Sequence, residues 1–126
     1  MQLRQVVVFE SDGRLAALLG PLAQKRRWLL REPRQADACL RLLERSRPTV
    51  LVLHVGGSLE PELDLLDAVN RGCPGAAVVV VTESDQPALL GLAWDLGAAY
   101  VLAPPHGWER LLDLVPALLE DAEGGR

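Results

Sequence analysis

Short apolar segments recur along the chain and predict buried β-strands. Five such segments are present: Gln5–Glu10, Trp28–Glu32, Thr49–His54, Ala76–Thr82 and Ala99–Ala103. The first, third and fourth are continuously apolar rather than alternating, which is typical of strands that are covered on both faces of a parallel sheet.

Apolar residues recur at helical spacing between these strands and predict five helices. The stripes are Leu15, Leu18, Leu19 and Leu22; Ala38, Leu40, Leu42 and Leu43; Leu63, Leu66 and Val69; Leu89, Leu92, Ala93 and Leu96; and Leu111, Leu114, Val115 and Leu118. Each pair of successive strands is separated by enough chain for the helical crossover that parallel strands require. The pattern predicts an α/β fold: a (βα)5 flavodoxin-like, doubly wound parallel sheet with strand order 2-1-3-4-5.

Capping residues and prolines predict where the helices begin and end. Ser11 or Asp12 is expected to cap the first helix, and Pro33 to open the second. Pro21 and Pro116 lie inside helical patterns, where a missing amide proton should kink the helix or shift its boundary. Residues 1–121 are expected to form one domain, and residues 122–126 a polar tail or the start of a linker.

Composition and charge narrow the function classes. The 126 residues are 49% hydrophobic and 24% charged, which is typical of a globular domain. The net charge of −4 argues against nucleic acid as a partner. The longest apolar stretch, Ala76–Val81, is too short to span a membrane, and no secretory signal is present. We therefore expect a cytoplasmic domain that binds neither nucleic acid nor a membrane.

Two cysteines bear on metal and redox chemistry. Cys39 and Cys73 are far apart in sequence and form no CxxC motif, so neither a zinc site nor a disulfide framework is indicated. The chain also lacks a Gly-rich phosphate loop, the spacing of a catalytic triad and an HExxH motif. We expect no metal, no cofactor and no enzymatic activity.

The candidate site lies where the strands end. In a doubly wound sheet, ligands bind outside the carboxyl ends of the strands at the switch point. The residues that the chain delivers there are Glu10, Ser11 and Asp12 after the first strand, His54 and Gly56 after the third, Thr82 and Glu83 after the fourth, and Ala103 after the fifth.

Several segments together resemble a known family. An apolar strand, polar residues and a helix start follow one another in VVVFESDGRLAALL; a proline and an apolar strand form PTVLVLHVGG; and VVVVTES and LGAAYVLAPP follow in order. In order and spacing, nearly the whole chain resembles the receiver domain of two-component response regulators (CheY-like). The resemblance implies a bacterial signalling module of a phosphorelay with the same (βα)5 fold.

The resemblance also implies a phosphorylation pocket whose chemistry departs from the family's. A receiver needs a nucleophilic aspartate, an acidic pair for Mg²⁺, a lysine and a hydroxyl. By resemblance, His54 stands at the nucleophile, Glu10 and Ser11 at the acidic pair, Ala103 at the lysine and Thr82 at the hydroxyl. Loss of a metal ligand and of the lysine removes most of the charge neutralisation that phosphoryl transfer requires. Glu83 adds a negative charge, and we therefore predict a degenerate receiver, or pseudo-receiver.

The family's output face is the second feature that the resemblance implies. Thr82 and Tyr100 occupy the positions of its switch pair, and Leu90 and Trp94 are expected beside Tyr100 and Leu102. This face, formed by helix 4, strand 5 and helix 5, would bind a protein partner or a second copy of the chain. Alternatively, Tyr100 only fills its strand's face and Trp94 packs between helices 3 and 4. Trp108 is expected to pack under the start of helix 5.

The role of His54 stays open at this level. Near acidic neighbours it would favour its charged form and sense protons. With Glu10 and Asp12 it would form a transition-metal site, or it is a hydrogen-bonded residue of a vacated pocket. The leading hypothesis is a phosphorylation-independent module that acts through protein contacts. The alternatives are a ligand- or pH-responsive sensor built on the pocket around Glu10, Ser11, His54 and Gly56, and a receiver with residual phospho-acceptor activity.

Overall fold

Strands and helices alternate along the chain. The structure, a computed structural model, describes residues 3–44 and 47–124. Within these ranges the elements are β1 (Gln5–Phe9), α1 (Arg14–Arg26), β2 (Leu29–Arg31), α2 (Ala36–Leu43), β3 (Thr49–His54), α3 (Leu59–Gly72), β4 (Ala76–Val81), α4 (Pro87–Asp95), β5 (Tyr100–Leu102) and α5 (Leu111–Gly124). A 3₁₀ turn, Trp108–Arg110, precedes α5.

The strands form one parallel sheet in the order β2-β1-β3-β4-β5. The predicted fold class and strand order are therefore confirmed. Phe9 of β1 is paired with Leu53, and His54 of β3 is paired with Val81. Because these strands end in register, the residues that follow them share one edge of the sheet.

Helices cover both faces of the sheet. On one face, alternate strand residues such as Val8 and Val52 pack against Leu15 and Leu19 of α1 and against Leu111 of α5. On the other face, strand residues of the opposite alternation pack against α2, α3 and α4. They are Val7, Leu51, Leu53, Val78 and Val80. Burial on both faces explains the continuously apolar strands in the sequence.

Several predicted boundaries are wrong by one or more residues. Glu10 and Thr82 lie just outside their strands, as do Trp28, Glu32, Ala99 and Ala103. The N-cap of α1 is Gly13, in the left-handed region at φ 80°, rather than Ser11 or Asp12. Pro33 precedes α2, whose N-cap is Gln35. Pro21 and Pro116 lie inside α1 and α5, so neither proline ends its helix.

The C-terminus of α1 is closed by a Schellman motif. The Trp28 N–H donates to the Ala23 carbonyl at 2.9 Å, and the Arg27 N–H donates to the Gln24 carbonyl at 3.3 Å. Arg27 adopts the left-handed conformation that this motif requires, at φ 62° and ψ 39°. The motif turns the chain directly into β2.

Helix α5 extends into the segment that was expected to be a polar tail. It continues to Gly124, so the first residues of the expected tail are helical, while residues 125–126 lie outside the described ranges. Among the described residues, no helix is both long and apolar enough to cross a bilayer.

Candidate functional site

The edge formed by the strand carboxyl ends brings most of the predicted pocket residues together. His54 ends β3 with its side chain only 15% exposed, and Thr82 follows β4 with 2% exposure. Ala103 follows β5 and is buried. The resemblance places the family's lysine at this position, and the side chain of Ala103 is only a methyl group.

Glu10 is bound to the start of α1. One carboxylate oxygen accepts the Leu15 N–H at 2.8 Å, and the other accepts the Ala16 N–H at 2.9 Å. The first N–H groups of a helix have no partner within the helix, and the positive end of the helix dipole attracts an anion. Glu10 therefore supplies two capping contacts at the start of α1, and Asp12 adds one, because its Oδ1 accepts the Arg14 N–H at 3.2 Å.

A chain of charged side chains crosses the mouth of the pocket. Arg14 Nε lies 2.6 Å from Asp12 Oδ2, and Arg14 Nη2 lies 3.2 Å from Glu83 Oε2. The other oxygen of Glu83 lies 2.7 Å from His54 Nε2. Side chains from α1, from the end of β3 and from the loops after β1 and β4 are thus joined to one another.

Trp108 packs over this charged chain. The Arg14 guanidinium carbon lies 4.5 Å from the centroid of the Trp108 ring, in a cation–π arrangement. The ring also meets the His54 imidazole edge-on, with centroids 5.7 Å apart at 68°. Trp108 touches the core at the start of α5 as expected, but it also covers the pocket. We define the charge cluster as Asp12, Arg14, His54, Glu83 and Trp108.

The charge cluster holds its acids ionised. A hydrogen bond from His54 is the main reason that the pKa of Glu83 is lowered, and a hydrogen bond from Arg14 adds to the effect. The backbone and side chain of Arg14 lower the pKa of Asp12. The same two carboxylates raise the pKa of Arg14. A guanidinium therefore faces two carboxylates at this edge.

The residues present do not fit Mg²⁺. This ion needs near-octahedral oxygen coordination, usually with one or two free carboxylates. Both oxygens of Glu10 are engaged by helix N–H groups, Ser11 offers a hydroxyl, and Asp12 already binds a guanidinium. Within residues 3–44 and 47–124, no group of three His, Cys, Asp or Glu side chains is placed to hold a metal. The transition-metal site considered for His54, Glu10 and Asp12 is therefore not formed.

The loop after β3 is held close to the charge cluster. The Gly56 N–H donates to Glu62 Oε1 at 2.8 Å, and Gly56 has φ 154°. A side chain at Gly56 would meet His54, Glu83 and Thr82. Thr82 is itself occupied, because its hydroxyl accepts the Ser84 N–H at 3.1 Å.

A small cavity beside the acids lies on the β2 side of β1. It has a volume of about 110 Å³ and lies between the loops that follow β1 and β2. Its polar lining residues are Glu10, Ser11, Asp12, Glu32 and Arg34. Of the four residues expected around one pocket, Glu10 and Ser11 line this cavity, whereas His54 and Gly56 do not.

The predicted output face is only partly exposed. Trp94 is 48% exposed and its ring contacts Tyr100, with centroids 6.0 Å apart at 64°. Leu90 and Tyr100 are half-buried, whereas Leu102 is fully buried and adds no surface. The alternative position of Trp94 between helices 3 and 4 is therefore wrong. A groove of about 440 Å³ adjoins this face, lined by Tyr100, Arg110, Asp113, Leu114 and Ala117.

Solved structures share this fold. A signal receiver domain from Vibrio parahaemolyticus matches with a TM-score of 0.79 and 22% identity, over 98% of this chain and 95% of that one. A CheY-like response regulator receiver domain from Methanospirillum hungatei matches with a TM-score of 0.80 and 14% identity, over 99% and 100%. The receiver domain of NtrX from Brucella abortus matches with a TM-score of 0.72 and 21% identity, over 91% and 98%.

Similarity at the level of sequence is much weaker. No protein-family model and no curated protein matches the chain. The chain therefore has the fold of response-regulator receiver domains, as the sequence resemblance predicted. The function must be argued from the residues of the site.

Arg14 and Trp108 are the members of the charge cluster that sequence reasoning did not place there. In the sequence alone, Arg14 is an ordinary helix residue, and Trp108 is predicted to be an aromatic residue packed under α5. The contact that joins Arg14 to Glu83 spans 69 positions of the chain. The available signal was an arginine just after the acidic segment, at the same strand edge as Glu83.

Proposed function

We propose that the chain is a pseudo-receiver: a non-enzymatic signalling module that acts through protein contacts without being phosphorylated. The observation that carries this proposal is the charge cluster. Its Arg14 guanidinium and its two carboxylates already satisfy one another, at the edge where a receiver of this fold would bind a metal and a phosphoryl group.

Electrostatics argues against phosphoryl transfer at residue 54. Phosphoryl transfer depends on positioning and on neutralising the charge of the transferred group. The Glu83 carboxylate lies 2.7 Å from the His54 ring nitrogen, so a phosphoryl group on that nitrogen would collide with a like charge. Ala103 supplies no compensating cation at this edge.

A phosphodonor tests this proposal directly. The purified chain is incubated with acetyl phosphate and Mg²⁺, and its intact mass is measured. We expect no phosphoryl adduct. A control variant combines Ser11→Asp, His54→Asp, Glu83→Ala and Ala103→Lys, which restores the acids, acceptor and lysine of the family. An adduct on the unmodified chain would revive the residual phospho-acceptor alternative.

The surface around Trp94 supports contact with a protein partner or with a second copy. Trp94 is about half exposed although it packs on Tyr100, and Leu90 lies in the same helix. Partly exposed aromatic side chains are frequent anchors of interfaces.

Replacing Trp94 tests this surface. If the wild type self-associates in sedimentation equilibrium, we expect Trp94→Ala to abolish that self-association. If the wild type is monomeric, we expect Trp94→Ala to abolish the capture of a partner protein. The matched control is Leu3→Ala, because Leu3 is 49% exposed and precedes β1 at the opposite end of the sheet. Equal loss in both variants, or loss in neither, would contradict the assignment of this face.

A second candidate function is a pH-responsive module, and the His54–Glu83 contact favours it. Protonation of His54 would strengthen its bond to Glu83 beside the Trp108 ring. The indole N–H signal of Trp108 in NMR spectra should then shift with pH. An indole signal that does not change with pH would contradict this function.

A further inference from the structure

A second apolar surface lies between α3 and α4, on the side of α4 away from Tyr100. It is a groove of about 430 Å³ whose floor is formed by Leu59, Leu63, Leu92 and Leu96. Leu59 is 46% exposed and Leu92 is 42% exposed. Exposed leucines that adjoin one another leave a contiguous apolar strip open to water, and such strips mark interaction sites.

The groove exists because α4 is apolar on more than its core-facing side. Ala93 is buried against the sheet, whereas Leu92 and Trp94 on either side of it are both exposed. Leu92 lines the groove towards α3, while Trp94 packs on Tyr100 of β5. The groove is therefore a different surface from the one proposed above, and it does not rest on that function.

One wall of the groove is acidic. Glu60, Asp64 and Asp67 line it from α3, spaced so that they follow one side of the helix. Asp67 forms an ion pair with Arg71 at 2.8 Å. Among the described residues, Glu60 and Asp64 have no ion pair, and no basic residue lines the groove.

We infer that this groove binds a basic amphipathic helix of a partner protein. The seam between two packed helices accepts the side-chain ridge of a third helix, and leucines spaced four apart on each side suit that geometry. The unpaired carboxylates of Glu60 and Asp64 would attract lysine or arginine that flank the apolar stripe of the partner. The same charges disfavour an anionic lipid surface.

A designed peptide tests the groove. The probe is a leucine–lysine peptide of about 18 residues, longer than the roughly 12–15 below which an isolated helix is marginal. Its leucines follow helical spacing, and amide NMR of the labelled chain reports the contact. We expect saturable shifts at Leu59, Leu63, Leu92 and Leu96. A scrambled peptide and a leucine–glutamate peptide of the same pattern should not produce them.

Charge reversal separates this groove from other acidic surfaces. Glu60→Lys combined with Asp64→Lys should weaken peptide binding by roughly tenfold, the order of magnitude for the loss of two surface ion pairs. The matched control, Glu109→Lys combined with Asp113→Lys, makes the same change of net charge near α5. It should leave binding unchanged, because those residues do not line the groove.

The inference is overturned by several results. Equal binding of the scrambled or acidic peptide, or an equal effect of both charge reversals, would show that recognition is not by this groove. Shifts centred on Trp94 and Tyr100, or no saturable shifts at all, would do the same. Self-association of the chain through Leu59 and Leu92 without peptide would make a second copy the occupant.

Discussion

Glu83 is the residue at which the response of the site to acid is decided. Its lowered pKa, caused first by His54, means that the folded state holds the carboxylate ionised more strongly than the unfolded state does. The stability that it contributes is therefore complete above its ordinary pKa of 4.5 and is lost as the pH falls through the lower folded value. Asp12 acts in the same direction through Arg14.

Replacing Glu83 should make the free energy of unfolding less dependent on pH in the acid range. We expect the free energy of unfolding of the wild type to fall more steeply below pH 4.5 than that of Glu83→Gln. Urea unfolding at a series of pH values measures both. Glu60→Gln, which removes an exposed carboxylate outside the charge cluster, is the control and should behave as the wild type. A Glu83→Gln profile that parallels the wild type would contradict the role of this carboxylate.

Arg27 carries a conformational cost that glycine would remove. It stands at the left-handed position of the Schellman motif with φ 62°, where an L side chain is strained by about 1 kcal/mol. Because its side chain is exposed, little packing is lost on replacement. Arg27→Gly should raise stability by about 0.5 kcal/mol after the added entropy of the unfolded chain is deducted, measured by urea unfolding. A clear loss would show that the side chain contributes more than its strain costs.

For the residues of the site, the sequence predicts which strand edge they share but not which contacts they make. Glu10, Ser11, Asp12, His54 and Thr82 were placed at one edge because parallel strands end together. The sequence did not indicate that Glu10 turns back to bind the α1 N–H groups, since that depends on the loop conformation at Gly13.

At the scale of elements, the turn from α4 into β5 depends on Gly97. It has φ 108°, and a side chain there would run into Asn70 of α3. Gly91 lies in the exposed interior of α4 with nothing near the position of a side chain. The two glycines therefore form a matched pair with opposite expectations.

Alanine at the two positions should shift stability in opposite directions. Gly97→Ala should lower the free energy of unfolding by about 1–3 kcal/mol, because strain and the Asn70 contact add. Gly91→Ala should raise it by about 0.5–1 kcal/mol, because alanine is the better helix former. Thermal or urea unfolding checks both. Similar effects at the two sites would mean that the turn tolerates a side chain.

The elements themselves were largely predictable, and their ends were not. Strands buried on both faces leave continuous apolar runs, and helices over them leave stripes, so the (βα)5 order could be predicted. Glu10 and Thr82 lie just past the ends of their strands, where their side chains accept helix and loop N–H groups, although the Thr82 N–H still donates to the Leu102 carbonyl of β5. Leu102 was misplaced on the surface because burial by α5 is not visible in β5 alone.

At the scale of the whole molecule, the chain has the fold of receiver domains, and its own side chains pair with one another at the edge formed by the strand carboxyl ends. Within the charge cluster, ion pairs join the end of β3, the start of α1 and the loops after β1 and β4, and the Trp108 ring packs over them. Under the proposed function, signalling would depend on the two exposed surfaces beside α4, which are the face around Trp94 and the groove between α3 and α4. Fold similarity alone does not indicate this pairing, because the pairing depends on side chains.

The most direct measurement is an amide NMR titration of the labelled chain with Mg²⁺ and beryllofluoride, a mimic of the phosphoryl group. We expect no saturable shifts at Glu10, His54, Thr82 or Tyr100, because the charge cluster occupies the edge and Glu10 is engaged by α1. Saturable shifts that run from Thr82 to Tyr100 would contradict it, and would mean that the pocket still binds a phosphoryl group and transmits the change.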